Sequence, residues 1–248
     1  MTLVPAIEVV LPEPDLEGML ADLRELIECE SPSSDLAAVA RSADLVARIG
    51  TTRLGVAPER VVVDGCTHLR WRVGGASERP RVLLLAHHDT VHPIGTLTSS
   101  PYSVTDGVLR GPGCFDMLAG LVMAIHALAG LPDPDGVTLL VTGDEEIGSP
   151  TSRHLIEEEA RGARATLVLE ASADGGALKT ARKGASLYEL EVTGRAAHAG
   201  LEPELGLNAS VELAHQILAI GALGSADLGT SVTPTVAASG TASNVVPA

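Results

Sequence analysis

Aromatic residues are scarce in this 248-residue sequence: they make up 2% of it, as one Trp, two Tyr and one Phe. A hydrophobic core therefore has to come from aliphatic side chains, and hydrophobic residues make up 45% of the chain. The sequence is long enough to bury a substantial core in one large domain or two ordinary ones. It contains no run of about 18 or more apolar residues, so no membrane-spanning helix is predicted.

Cysteine and positive charge are also in short supply. Cys29, Cys66 and Cys114 are too few and too scattered for a disulfide framework, and they are typical of a reducing compartment. The N-terminus shows no basic segment followed by an apolar run, so the sequence predicts no secretory signal and a cytoplasmic location. The formal net charge of −15 argues against nucleic acid and anionic membranes as partners, because both attract positive charge.

Helices and strands alternate through the first part of the chain. Continuous aliphatic runs predict buried strands at 82–86, 137–142 and 165–169, and an apolar segment at 117–128 predicts a helix against the sheet. The other predicted elements are helices at 16–29, 36–54 and 151–161, strands at 60–63 and 68–73, and a hairpin at 104–109. This order predicts an α/β domain over residues 1–182, with a largely parallel sheet flanked by helices.

The pattern changes in the remaining residues, 183–248. Apolar and polar residues alternate over 185–193, which predicts a half-buried strand. A long helix is predicted at 204–223 and another strand at 231–238. These elements predict a second, smaller domain of the α+β type.

Polar residues follow each of the three predicted buried strands. The first runs into His87 and Asp89, the second into Gly143-Asp-Glu-Glu-Ile-Gly148, and the third into Glu170. A further motif, Gly111-Pro-Gly-Cys-Phe-Asp116, precedes the predicted apolar helix. Because the carboxyl ends of parallel strands meet at one edge of a sheet, we expect these side chains to converge there.

One imidazole and several carboxylates, gathered without a nearby Lys or Arg, would repel one another, and one or two divalent cations relieve that repulsion. Such donors suit zinc, and cobalt or manganese is compatible with the same set. His87 can supply one ring nitrogen while Asp89 holds the other. Taken singly, His87 also fits a satisfied histidine at a strand end, Gly143-Asp-Glu-Glu146 a plain acidic turn, and Gly111-Pro-Gly113 a plain turn. All four motifs in this order favour a metal site.

Glu145 and Glu146 are adjacent carboxylates, and their pairing predicts two different tasks. One can bind a metal ion while its neighbour takes a proton from water that the ion has acidified to a pKa of about 7. That arrangement hydrolyses amide bonds.

These residues resemble the motifs of the di-zinc aminoacylase and carboxypeptidase family, which includes glutamate carboxypeptidase, acetylornithine deacetylase and succinyl-diaminopimelate desuccinylase. The resemblance rests on His87-His-Asp-Thr-Val91, Gly111-Pro-Gly-Cys-Phe-Asp-Met117, Gly143-Asp-Glu-Glu-Ile-Gly148 and Leu169-Glu-Ala171. Later segments are similar to that family's lid, or dimerisation, domain and most resemble the glutamate carboxypeptidase branch. These segments are Gly194-Arg-Ala-Ala-His-Ala-Gly200, Pro203-Glu-Leu-Gly-Leu-Asn-Ala209 and Ser239-Gly-Thr-Ala-Ser-Asn-Val-Val-Pro247.

The resemblance implies a set of metal ligands. Asp116 is expected to bridge two zinc ions, His87 and Glu170 to complete the ligands of one ion, and Glu146 to bind the other. It also implies a cis peptide bond between Asp116 and Met117.

The resemblance also implies residues for catalysis and substrate binding. Glu145 is expected to act as the general base, and Asp89 to orient the metal-ligating histidine. In the lid, His198 is expected to stabilise the oxyanion in the active site of a partner subunit, and Asn244 to help hold the substrate's carboxylate. A homodimer through the lid follows from the same resemblance. The remaining histidines are predicted to have packing or surface roles.

The sequence departs from the family's pattern in two respects. Leu118 stands where the family usually has a Lys, which affects only local electrostatics. The family's chain also continues beyond the segment Asn244-Val-Val-Pro247 and supplies a further His ligand and a substrate-binding Arg, whereas this sequence stops at Ala248. The resemblance therefore implies the N-terminal part of a longer hydrolase, with an incomplete lid.

The predicted function is zinc-dependent hydrolysis of the amide bond of an N-acyl amino acid or short peptide with a free carboxylate, with a glutamate-like product as first candidate. One alternative is a biosynthetic N-deacylase that acts on acetylornithine or succinyl-diaminopimelate. Another is a truncated, non-catalytic metal-binding protein. A nucleotide-binding domain is disfavoured because Gly111-Pro-Gly113 does not extend to the dinucleotide-binding pattern and no P-loop motif occurs.

Overall fold

The computed structural model describes residues 13–73 and 82–248. The chain divides into two compact units, residues 1–180 and residues 181–248. Within the described residues, every helix is too short or too polar to cross a membrane.

The described residues of the first unit contain seven strands: β1 (Glu59–Val63), β2 (Cys66–Val73), β3 (Val82–His87), β4 (Ser103–Thr105), β5 (Val108–Arg110), β6 (Val137–Thr142) and β7 (Ala165–Val168). Five of them form one sheet in the order β1-β2-β6-β3-β7. Strands β6, β3 and β7 run parallel, and β1 and β2 add an antiparallel hairpin at one edge. Strands β4 and β5 form a separate hairpin.

In the part of the chain that the structure describes, four α-helices belong to the first unit and a fifth to the second: α1 (Leu16–Glu28), α2 (Leu36–Leu54), α3 (Ala119–Ala129), α4 (Arg153–Ala160) and α5 (Ala209–Gly221). Helix α2 begins where the side chain of Asp35 accepts hydrogen bonds from two main-chain N–H groups, and it ends at Gly55 in the left-handed conformation. The predicted α/β fold, with a mostly parallel central sheet and helices, is confirmed.

The core of the first unit is largely aliphatic, and Trp71 is buried within it. The largest side chains buried with it include Leu26, Leu121, Ile125 and Leu139. They come from α1, α3 and β6, so helices and sheet share one continuous core. Strands β3 and β6 pair side by side against this core, and both end at the edge where the candidate site lies.

The predicted burial of the strand at 165–169 is wrong. All four residues of β7 are exposed, with Leu167 and Val168 at 49% and 54%. The reason is its position: β7 is the last strand of the sheet and pairs only with β3 among the described residues. A continuous aliphatic run predicts a strand correctly but does not say whether that strand lies in the middle or at the edge.

Two predicted strands of the second unit are also wrong, because neither 185–193 nor 231–238 is assigned as a strand. Alternating polarity predicts an extended segment, but a strand forms only when a partner segment pairs with it. In this unit, the bridges between described residues are isolated ones such as Arg195 with Leu207 and Ser225 with Thr230. Helix α5 is shorter than predicted because it begins after Asn208, whose side chain caps it.

Candidate metal centre

Four carboxylate side chains converge on one buried imidazole at the carboxyl edge of the parallel strands. The Nε2 atom of His87 lies 3.2 Å from Asp116 Oδ1, 3.3 Å from Glu170 Oε1 and 3.9 Å from Glu145 Oε2. Glu146 belongs to the same cluster through its neighbours His87 and Asp116. The sequence motifs that were predicted to meet at this edge therefore do so in the folded chain.

Each side chain reaches the cluster because of where its element ends. His87 is the last residue of β3, Glu145 and Glu146 follow β6, and Glu170 follows β7. Asp116 lies in the short turn Cys114–Leu118, directly before α3, and its dihedral angles are not helical. The peptide bond between Asp116 and Met117 is cis, as predicted.

The orientation of His87 is set by Asp89. The Nδ1 atom of His87 lies 2.9 Å from the main-chain carbonyl oxygen of Asp89 and 3.5 Å from its carboxylate. The ring N–H at Nδ1 donates to that carbonyl oxygen, so Nε2 is the ring atom that faces the carboxylates. Through Nε2 the imidazole would bind a metal ion once that atom has lost its proton.

The carboxylate of Asp89 connects the histidine to the glutamate pair. It is fully buried and accepts hydrogen bonds from the main-chain N–H groups of Glu145 and Glu146, each at 3.2 Å. It also accepts a hydrogen bond from the hydroxyl of Ser33 at 2.6 Å. Burial opposes ionisation, but hydrogen bonds from His87 and Ser33 hold the pKa of Asp89 below its ordinary value.

The convergence perturbs the ionisation of the cluster. Burial favours the neutral form of His87, but hydrogen bonds and charge from Asp89 and Glu170 outweigh it and raise the pKa of His87 to about 11. Burial also raises the pKa of Glu145 and that of Glu146, and the charge of Asp116 adds to both shifts. Negative charge is therefore crowded here, and a cation stabilises such a cluster.

The residues present fit a divalent metal ion. Two overlapping groups, His87 with Glu145 and Glu170, and His87 with Asp116 and Glu146, each bring their candidate ligand atoms within 4.8 Å of one another. An imidazole combined with carboxylates is a donor set that zinc accepts. Because a metal ion binds only the neutral imidazole, binding here would release a proton from His87 at neutral pH.

The cluster is open on one side. The side chain of His87 is 1% exposed, whereas those of Asp116 and Glu145 are 63% and 49% exposed. A ligand can therefore approach the carboxylates from solvent while the imidazole stays buried behind them.

The two remaining predicted site residues, His198 and Asn244, lie in the second unit. They lie on neighbouring segments, since the main-chain N–H of Ala199 donates to the carbonyl oxygen of Asn244 at 2.9 Å. The Nδ1 atom of His198 accepts hydrogen bonds from the main-chain N–H groups of Gly200 and Leu201, each at 3.1 Å. Their roles at a catalytic site stay predictions.

Sequence reasoning missed Ser33 and gave no role to Asp144. Nothing in the local sequence of Ser33 indicates a contact with Asp89, 56 residues away. Asp144 lies in the acidic motif, but the motif predicts roles only for the neighbouring Glu145 and Glu146. Its side chain contacts Thr151 and Ser152 instead of the metal cluster.

Comparison with known structures supports the fold. A tripeptidase from Staphylococcus aureus matches 95% of this chain and 64% of its own, with a TM-score of 0.62 and 19% identity. The aminopeptidase PepT from Bacillus cereus matches 94% of this chain and 64% of its own, with a TM-score of 0.58 and 20% identity.

Sequence comparison finds similar relatives. Carboxypeptidase G2 from Pseudomonas sp. (strain RS-16) is 35% identical over 67% of this chain and 42% of its own length. Succinyl-diaminopimelate desuccinylase 2 from Shewanella loihica is 34% identical over 76% of this chain and 58% of its own length. The chain thus spans about half the length of the curated relatives that it matches.

The strongest assignment comes from a match that contains the whole metal cluster. Residues 83–244, more than half of the chain, match the family described as Peptidase family M20/M25/M40. This range extends from β3 to the segment that holds Asn244. On this match the chain belongs to peptidase family M20/M25/M40.

Proposed function

We propose that this chain carries the metal-binding and catalytic side chains of a hydrolase. The reaction is cleavage of the amide bond of an N-acyl amino acid or short peptide with a free C-terminal carboxylate. The observation that supports it best is the convergence of Asp116, Glu145 and Glu170 on the Nε2 atom of His87. A divalent ion held there, with zinc as first candidate, would polarise the scissile carbonyl group and acidify water.

The proposed ligand set comes from the family resemblance, and the clustering of these side chains supports it. Two divalent ions would be held here, one by His87, Glu170 and Asp116, the other by Glu146 and Asp116. Asp89 orients His87 and, through its carboxylate, holds the main chain that carries the glutamates.

Glu145 is the proposed general base. It takes a proton from the attacking water and returns that proton to the leaving amine. Burial, and the charges of neighbouring carboxylates, raise the pKa of Glu145, which makes this carboxylate a stronger base toward the proton of the water.

A glutamate-like product is the first candidate within this class, on the similarity to Carboxypeptidase G2. The second candidate is removal of a succinyl group from a diaminopimelate-type substrate, because several relatives are named succinyl-diaminopimelate desuccinylases. In both cases the substrate carries a free carboxylate, for which Asn244 is the proposed partner. His198 is the proposed oxyanion donor, and a homodimer through the second unit is the proposed assembly.

The test compares the zinc-loaded parent chain with Glu145→Gln on two substrates, an N-acyl glutamate and succinyl-diaminopimelate, by chromatography of the released amino acid. Glu145→Gln is expected to keep its zinc and to lose about 100-fold or more in kcat. Glu158→Gln is the matched control, since Glu158 is exposed on α4. Turnover by Glu145→Gln at the parent's rate would show that Glu145 is not the general base. A parent that binds zinc but hydrolyses neither substrate would favour the non-catalytic alternative.

A further inference from the structure

A second cluster of polar side chains lies behind the loop that carries Glu145 and Glu146. Cys66, His68 and Asp144 are all buried there, at 3%, 0% and 2% exposure, with their polar atoms close together. They contact Thr151, which follows the loop and precedes α4. The metal centre uses none of these four side chains.

The hydrogen bonds of this cluster form a chain in which each donor points to the next residue, from Gly143 through His68 and Thr151 to Asp144. The main-chain N–H of Gly143 donates to His68 Nδ1 at 3.2 Å, so the proton of the neutral ring is on Nε2. His68 Nε2 lies 3.0 Å from Thr151 Oγ1 and donates to it. The hydroxyl of Thr151 in turn donates to Asp144 Oδ2 at 2.7 Å. Burial lowers the pKa of His68, which favours the neutral ring that this chain of bonds requires.

Asp144 fastens the far end of the loop. Its carboxylate accepts hydrogen bonds from the main-chain N–H groups of Thr151 at 2.6 Å and Ser152 at 3.1 Å, and from the Ser152 hydroxyl at 2.6 Å. Between these attachments Ser149 has a φ of 58°, a left-handed conformation that non-glycine residues rarely adopt. The loop is therefore held in a conformation that it would not favour alone.

Strand β2 contacts the loop and α4 through side chains on one of its faces. Alternate residues of a strand share a face, so His68, Arg70 and Arg72 lie on the same side of β2. Arg70 and Arg72 each reach Glu159, near the end of α4, at 2.6 Å. The segment from the loop to the end of α4 is thus attached to β2 at both ends.

The bonding pattern argues for a hydrogen-bond network rather than a second metal site. Both ring nitrogens of His68 and both carboxylate oxygens of Asp144 already have protein partners. Burial raises the pKa of Cys66 to about 11, so its thiol stays protonated at neutral pH and is a poor metal ligand.

We propose that His68, Thr151 and Asp144 form a positioning network that holds Glu145 and Glu146 at the metal cluster. The proposal deepens the proposed function and rests on it for the roles of the two glutamates. It makes none of the three residues catalytic: they act through the main chain of the loop. The reason is electrostatic, because adjacent carboxylates in a crowded acidic cluster separate unless the backbone that carries them is held in place.

The test uses Thr151→Val, which keeps the shape of the side chain but removes the hydroxyl, and Thr151→Ser, which restores it. Thr105→Val is the control, since Thr105 is exposed on β4. Amide hydrogen exchange of residues 143–152 and of α2 is measured by mass spectrometry in the metal-free chain. Zinc affinity is measured by competition with a chromophoric chelator.

In Thr151→Val we expect exchange across residues 143–152 to accelerate about tenfold, with α2 unchanged, and zinc affinity to fall about tenfold. Thr151→Ser is expected to stay close to the parent in both measurements. Unchanged exchange in Thr151→Val would overturn the proposal, and so would faster exchange with unchanged zinc affinity.

Two further outcomes separate this proposal from others. Loss of a bound zinc ion in Cys66→Ala would show that the cluster is itself an ion site, and would overturn the network. A parent chain that binds no zinc would refute the proposed function, while the exchange measurement would still decide whether the network holds the loop.

Discussion

Mild acid should destabilise the first unit through His88, which lies between the proposed ligand His87 and Asp89. His88 is fully buried, with Nδ1 at 3.2 Å from Ser42 Oγ and Nε2 at 3.1 Å from the carbonyl oxygen of Thr67. Burial lowers the pKa of His88 from its ordinary 6.5 to about 4. The folded chain therefore keeps this ring neutral at a pH where the unfolded chain protonates it.

The size of the effect follows from the two pKa values. As the pH falls below 6.5 the unfolded state takes up a proton at His88, and the folded state does not until about 4, so stability falls over that window. Between about pH 7.5 and about pH 5 the free energy of unfolding should drop by ~2 kcal/mol from this residue alone. Other groups titrate in the same range, so the contribution of His88 has to be measured as the difference between the parent chain and a variant that lacks this histidine.

The variant that isolates it is His88→Gln, which cannot be protonated. Urea unfolding of the metal-free chain is followed by the fluorescence of Trp71, which is the single tryptophan of the sequence and is buried in the core of the first unit. The parent should lose about 2 kcal/mol more than His88→Gln between about pH 7.5 and about pH 5. His215→Gln, a change at an exposed position on α5, should follow the parent. Equal losses in parent and His88→Gln would refute the reasoning.

Two further changes test the architecture around the cluster. Asp89→Asn places an amide group against buried main-chain donors and should weaken zinc binding about 10- to 100-fold by chelator competition, whereas Asp64→Asn, at an exposed turn, should not. Gly120→Ala would place a Cβ 2.0 Å from the carbonyl oxygen of Leu169, so urea unfolding should show a loss of about 1–3 kcal/mol. In the control Gly221→Ala the added Cβ meets open space, so the urea transition followed by Trp fluorescence should stay unchanged. Equal zinc binding in Asp89→Asn and Asp64→Asn, or equal stability in Gly120→Ala and Gly221→Ala, would contradict these contacts.

Much of the first unit could be predicted because its elements have strong periodic patterns. Helix α2 and strand β6 have the predicted bounds, 36–54 and 137–142. The edge position of β7 and the missing strands of the second unit could not be predicted in the same way. Both depend on which segment lies alongside, and hydrophobic periodicity carries no information about that.

For the candidate site, too, some features could be predicted from the sequence and others could not. The convergence of His87 with the carboxylates could be predicted because motifs that follow parallel strands meet at one edge. The supporting contacts could not: Ser33 lies 56 residues from Asp89, and His68 lies 83 residues from Thr151. Serine, threonine and histidine are common in turns and strands, and only the folded chain shows that these particular side chains hold the acidic motif.

The proposed metal centre is tested most directly by the zinc content of the purified chain after zinc loading and desalting, measured by mass spectrometry of the metal. We predict that the parent chain and His215→Gln retain zinc, and that His87→Gln retains less of it, because His87 is the proposed imidazole ligand of one of the two ions. Equal zinc in His87→Gln and the parent, or no zinc in the parent, would contradict the claim that this cluster is a metal centre.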